Sequence, residues 1–198
     1  MRWDRFFEDL EDQLDSEWEA ERAALDTEAE RLRLSRIPLR ERIVALAAAG
    51  SQVAVETVGE HAVTGGVSRV GADWFALETS ARRPVVALVP LCAVVTLGTA
   101  AEAVLSSVRE AAPGTTLAQR MTFGFVLRDV VRRRIPTTVH LADGRALAGT
   151  IDRAGADHLD LALHEPGLPR RVDSVRGFRL IPFTAVAMVR LDAPADLP

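Results

Sequence analysis

A stretch that occurs twice constrains this chain more than any other feature. Residues 138–163 read TVHLADGRALAGTIDRAGADHLDLAL, and residues 54–79, eighty-four positions earlier, read AVETVGEHAVTGGVSRVGADWFALET. With no gap, both contain a glycine (Gly65, Gly149), a β-branched residue two positions on (Val67, Ile151) and an arginine (Arg69, Arg153). Both then have Gly-Ala-Asp (71–73, 155–157) and a closing leucine (Leu77, Leu161). The match resumes at Leu88-Val89-Pro90 and Ala93-Val94, which correspond to Leu180-Ile181-Pro182 and Ala185-Val186 at an offset of ninety-two. The second copy therefore carries eight extra residues between its two parts. Two copies are too few for a solenoid and imply two related units.

Turn residues divide each copy into short strands. In the first, these are 53–58, 61–70, 74–78, 85–91 and 94–97. Gly59-Glu60 and residues 71–73 form the turns, and Gly65-Gly66 marks a bend or bulge within a long second strand. In the second copy, strands are expected at 138–141, 145–153, 158–163, 178–183 and 187–191, with Asp143-Gly144 as a hairpin signal. A helix is expected before each set. The first, over 39–49, follows Pro38 and ends at Gly50. Before the second set, one helix is expected over 100–111 and another from Thr115 or Thr116 to Arg134, carrying Leu117, Met121, Phe125, Val126, Val130 and Val131. Residues 165–175 form a loop that holds the extra length, and 192–198 a disordered tail.

Residues 3–34 form a different pattern. Trp3, Phe6, Phe7, Leu10, Leu14 and Trp18 recur at spacings of three and four, the signature of a long amphipathic helix. Residues 1–30 hold twelve acids and three arginines, so this end is strongly acidic; the whole chain is −4, so the remainder is net basic. Such a face either packs on the body, pairs with its copy in a dimer, or docks a protein partner through Trp3, Phe7, Leu10, Leu14 and Trp18.

With 48% hydrophobic residues, the chain can bury a core. Its one cysteine, Cys92, excludes a disulfide framework, and its apolar neighbours suggest a buried, inert thiol. No apolar run approaches the roughly 20 residues of a membrane span, and the start lacks a signal-peptide core, so a cytoplasmic location is expected. No nucleophile elbow, P-loop, dinucleotide fingerprint or zinc-protease motif occurs, so neither an enzyme nor a cofactor is indicated. His140, His158 and His164, with Asp157 and Asp160, lie within one copy, but a metal would need them to converge.

The second copy resembles the first motif of the Sm and Sm-like proteins through Val139-x-Leu141-x-Asp143-Gly144-Arg145 and the Gly149-Thr150-Ile151 that follows. Arg176-Gly177 is similar to the Arg-Gly of that family's second motif. The resemblance implies an α+β protein of two tandem five-stranded small β-barrels, Sm-like or SH3-like, each preceded by a helix. It also implies open strand edges suited to self-assembly. RNA-binding members place an asparagine in the third strand, where this chain has Asp160 and Ala76. The whole chain also resembles an actinobacterial family labelled Fis-type transcriptional regulators, through Trp3-Asp4-Arg5-Phe6-Phe7 and residues 155–161.

The expected organisation is an acidic helix over 1–36, one helix-plus-barrel repeat over 37–98, a second over 99–191 and the tail. Two functions fit it. One is a non-enzymatic interaction or assembly module whose partner is a protein or a second copy, a dimer first. The other is a nucleic-acid-binding regulator, with Arg132, Arg133, Arg134, Arg170, Arg171, Arg176 and Arg179 on phosphates.

Overall fold

The computed structural model describes residues 18, 22, 27–79, 85–108, 117–166 and 170–192. The chain divides into two compact units, Met1–Pro38 and Leu39–Pro198.

In the first unit, Trp18 and Arg22 are helical, and residues 27–35 form helix α1. Arg33 grips Glu30 through two hydrogen bonds of 2.7 Å, one turn apart. Trp18 is 64% exposed. Trp3, Phe7, Leu10 and Leu14 lie outside the described residues.

The second unit begins with α2 (Leu39–Ala48), whose Ile43 and Leu46 are buried. Five strands follow: β1 (Gln52–Thr57), β2 (His61–Val70), β3 (Trp74–Glu78), β4 (Val86–Pro90) and β5 (Val94–Gly98). Short helices α3 (Ala101–Ser106) and α4 (Leu117–Arg120) lead to α5 (Phe123–Arg133). Five more strands complete the unit: β6 (Pro136–Leu141), β7 (Ala146–Ala154), β8 (His158–Leu163), β9 (Gly177–Pro182) and β10 (Val186–Leu191).

The repeat holds at the level of hydrogen-bond register. Glu56 faces Thr96 as His140 faces Met188, and Ala76 faces Leu88 as Asp160 faces Leu180. Both long strands carry a bulge at the same place, between Val67 and Arg69 and between Ile151 and Arg153. The shared glycine has a steric cause. A Cβ on Gly65 would lie 2.3 Å from the Glu78 carbonyl oxygen, and one on Gly149 would lie 2.1 Å from that of Ala162. The neighbouring strand crosses too closely for any side chain.

The expectation of two separate five-stranded barrels is overturned. All ten strands form a single antiparallel sheet, in the order β5-β1-β2-β3-β4-β10-β6-β7-β8-β9. The join is β4 with β10, where Val86 faces Leu191, Ala87 faces Arg190 and Leu88 faces Val189. The physical reason lies in β3 (WFALE) and β4 (VALVP), which are apolar at successive positions and buried on both faces. Such strands need cover on two sides. Phe75, Leu77, Ala87 and Val89 point into one core with Ile43, Leu46 and Met188. Trp74, Ala76, Val86 and Leu88 point into a second core with Val126, Leu127, Ile151 and Leu161. Each half thus completes the other's core.

The helical link between the copies departs from expectation too. The continuous helix expected up to Arg134 is interrupted at Met121-Thr122, between α4 and α5. Tertiary bonds hold the break. The Phe123 amide donates to Asp73 Oδ1 at 2.7 Å, giving α5 its cap from the first Gly-Ala-Asp turn. The Met121 carbonyl accepts from Trp74 Nε1 at 2.9 Å and from the Ala72 amide. Cys92 is exposed rather than buried, because the turn between β4 and β5 points Ala93 inward instead.

Candidate functional site: sheet edges and a basic cleft

A ten-stranded sheet that does not close has two edges. Among the described residues they are β5, bonded only to β1, and β9, bonded only to β8. Edge strands present unpaired backbone groups and are places where another chain can add. The two are not blunted by length alone, and β9 carries two large apolar side chains in the open. Phe178 is 52% exposed and Leu180 71% exposed. Their counterparts in the first copy, Val86 and Leu88, are 4% and 0% exposed, because they pack in the second core with Val126, Leu127, Ile151 and Leu161 beside the paired strand β10. Val95 on β5 is also exposed. Beside β9 lies a mostly apolar cleft of about 280 Å³, lined by Leu141, Leu147, Leu180 and Ile181, with Arg145 and Arg179 at its rim.

Arg145 is held there by Asp143, Nη2 to Oδ2 at 2.7 Å, and both are well exposed. The guanidinium draws the Asp143 carboxyl below its usual range, mainly by hydrogen bonding. At the equivalent place in the first copy stands His61, whose ring packs edge-on against His140, centroids 4.7 Å apart. His61 Nε2 is 3.0 Å from the Leu141 carbonyl oxygen, which can only accept, so that nitrogen is the one placed to donate. Among the described residues neither ring nitrogen of His140 has a hydrogen-bond partner, and both nitrogens are buried. Burial, helped by the charges of His61 and Arg190 and opposed by Asp192, pushes His140 down to about 4.

A second cleft, of about 430 Å³, opens where α5 ends above the bulge of β7. It is polar. Arg132, Arg134, Arg153 and Arg170 line it, with Val131, Thr150, Ile151 and Asp152. Arg170 Nη2 donates to Asp152 Oδ2 at 2.8 Å, and its Nε lies 2.7 Å from Oδ1 without the alignment of a hydrogen bond. Arg132 is paired with Asp129, which also has Arg133 Nε 2.8 Å from its other oxygen. No hydrogen bond or ion pair joins the Arg134 or Arg153 guanidinium to any described residue.

The arginines expected to act together therefore separate. Arg132, Arg134 and Arg170 share the polar cleft, with Arg133 just outside it on Asp129. Arg176 is neutralised by Glu165, and Arg179 lies on the β9 edge, where its Nη1 donates to the Phe178 carbonyl at 2.8 Å. Arg171 is exposed on the loop, where its amide donates to Ser174 Oγ. Sequence reasoning treated Arg153 as part of the repeat skeleton and so missed it as a cleft residue. Its counterpart Arg69 carries the same signal, and only the surrounding residues separate the two.

The histidines of the second copy do not converge. His164 Nε2 lies 2.8 Å from Thr150 Oγ1, and His158 Nδ1 lies 2.8 Å from Asp157 Oδ1. Among the described residues, no group of three or more His, Cys, Asp or Glu is placed to hold a metal ion. Among them, too, no helix is long and apolar enough to cross a membrane.

The fold thus defines a duplicated, edge-open antiparallel sheet with helices α2 and α5 leading its two sets of strands. No protein-family model matches the chain, and no curated protein matches it.

Proposed function

We propose that this protein is a self-assembling, non-enzymatic scaffold whose copies join head to tail, β9 of one copy adding to β5 of the next. Exposure at β9 carries the proposal: Leu180 is 71% exposed at the position where Leu88, its counterpart, is fully buried on a strand paired with β10. The internal join supplies the geometry. Transferring its register through the repeat places Phe178 opposite Thr99 of the next copy, Arg179 opposite Gly98 and Leu180 opposite Leu97.

The same transfer brings opposite charges together. The internal contact of His61 with His140 becomes Arg145 with Glu56 of the incoming copy. Met188, which fills the first half's core at the internal join, is replaced by the smaller Thr96. The contact is heterologous, so the assembly closes into a ring or extends as a filament according to the rotation per step.

Sedimentation velocity across a concentration series tests the proposal. The parent chain is expected to form species larger than a monomer. Leu180→Arg should reduce them, since it sets a desolvated charge against Leu97. Glu56→Arg should weaken association, and combining it with Arg145→Glu should restore it, because the charges are then exchanged rather than removed. A monomeric parent at every accessible concentration sinks the proposal. So does a Leu180→Arg variant that assembles as the parent does.

A further inference from the structure

The two copies differ sharply beneath the ends of their leading helices, at the polar cleft of the second copy. From that difference we infer that the cleft is a binding site for a phosphate group. Four guanidinium groups line it, those of Arg132, Arg134, Arg153 and Arg170. The corresponding positions in the first copy are Ala48, Gly50 and Arg69, and Arg170 falls in the part of the second copy that is longer. Thr150 and Asp152 correspond to Gly66 and Ser68. The same backbone framework thus carries one guanidinium in the first copy and, beside Asp152, four in the second.

The placement of Arg134 points the same way. It ends α5 in a left-handed conformation, at φ +53°. Gly50 ends α2 at the equivalent position with φ +63°. Glycine is the usual residue there, since a side chain makes the left-handed region unfavourable. In the second copy the conformation is kept and an arginine is carried on it, lining the cleft.

The charges are also arranged for an anion. Arg170 is fixed in place by Asp152, whose carboxylate turns one wall of the cleft into an oriented guanidinium. Arg134 and Arg153 face the cleft with no partner among the described residues. Planar guanidinium forks match the oxygens of a phosphate and bind it by charge-assisted hydrogen bonds. A doubly charged group is favoured over a carboxylate, because the ligand must satisfy two unpaired arginines beside Asp152. The phosphate can belong to a small phosphorylated molecule or to a nucleic-acid backbone, and the shared chemistry is the same.

Inorganic pyrophosphate is the first probe, measured by titration calorimetry on the full chain at constant ionic strength. The parent should bind it. Arg153→Ala and Arg134→Gly should each weaken binding by about tenfold or more, the worth of one charge-assisted contact. Arg134→Gly gives the left-handed position its preferred residue, so its melting temperature should not fall below the parent's, which separates lost binding from lost folding. Arg69→Ala, in the first copy, should bind as the parent does. A single-stranded oligonucleotide is the second probe. Displacement of pyrophosphate by it assigns the phosphate to a nucleic-acid backbone, whereas its failure to compete assigns it to a small molecule; both support the site. A parent that binds no pyrophosphate overturns the inference. So does an affinity unchanged in Arg153→Ala and Arg134→Gly, or one that falls equally in Arg69→Ala.

Discussion

The first and second copies share a register to the residue, yet one is enclosed and the other is open. In the first, β4 is an interior strand, apolar at every position and paired with β10. In the second, the equivalent β9 is an edge among the described residues, with Phe178, Arg179 and Leu180 exposed. The same contrast holds at the helix ends, where the first copy has Gly50 and the second has Arg134. Duplication preserved the residues that shape the backbone, Gly65 and Gly149 above all, and left the remaining positions free to diverge. What diverged is chemistry: one copy became core, the other surface.

The largest test of that contrast compares Leu88→Ala with Leu180→Ala. Leu88 is fully buried in the core shared by both halves, so its truncation should cost about 2–5 kcal/mol in denaturant unfolding. Leu180 is mostly exposed, and its truncation should change monomer stability by less than about 0.5 kcal/mol. Equal losses would mean that the copies are not enclosed and open in the sense described.

Next in size is an acid response centred on His140, at the contact between the halves. Its pKa in the folded chain, about 4, lies below the ordinary value of 6.5. Between those two values the unfolded chain takes up the proton first, so stability is full above about pH 6.5 and falls as the pH drops towards 4. Solvent screening at the half-buried ring moderates the effect, and a loss of roughly 1–2 kcal/mol is expected. Unfolding measured from pH 7 to pH 4 should show this slope, and His140→Leu should flatten it. A slope unchanged in His140→Leu would place the response on other groups.

The smallest test compares the two Gly-Ala-Asp turns. Asp73 caps α5 through the Phe123 amide, whereas Asp157 faces His158 in the open. Asp73→Ala should cost about 1 kcal/mol, and Asp157→Ala close to nothing. Thermal unfolding of the two variants decides it.

Much of the backbone was legible in the residues. The repeat, the glycine bend in β2 and the approximate position of each strand along the chain all follow from patterning with period two, interrupted at turn residues. What was not legible is where strands meet across the copies. Backbone pairing of β4 with β10 leaves no mark in either strand alone, although VALVP signals burial on both faces. The break at Met121-Thr122 was hidden for a related reason: its cap comes from Asp73, fifty residues away. Local helical periodicity cannot register such a bond. The polar cleft was half legible. Arg132, Arg134 and Arg170 stood out as a basic group, but Arg153 looked like scaffold, and only the path of the chain gathers the four.

The interlocked cores have a consequence for how the molecule comes apart. Trp74, Ala76, Val86 and Leu88 belong to the first set of strands but pack in the core of the second, and Met188 makes the reverse contribution. Neither set retains a complete interior without the other. The two should therefore melt as one cooperative unit, with a single calorimetric transition. Synthesis of the first half would leave its apolar face uncovered until the last strand, β10, leaves the ribosome.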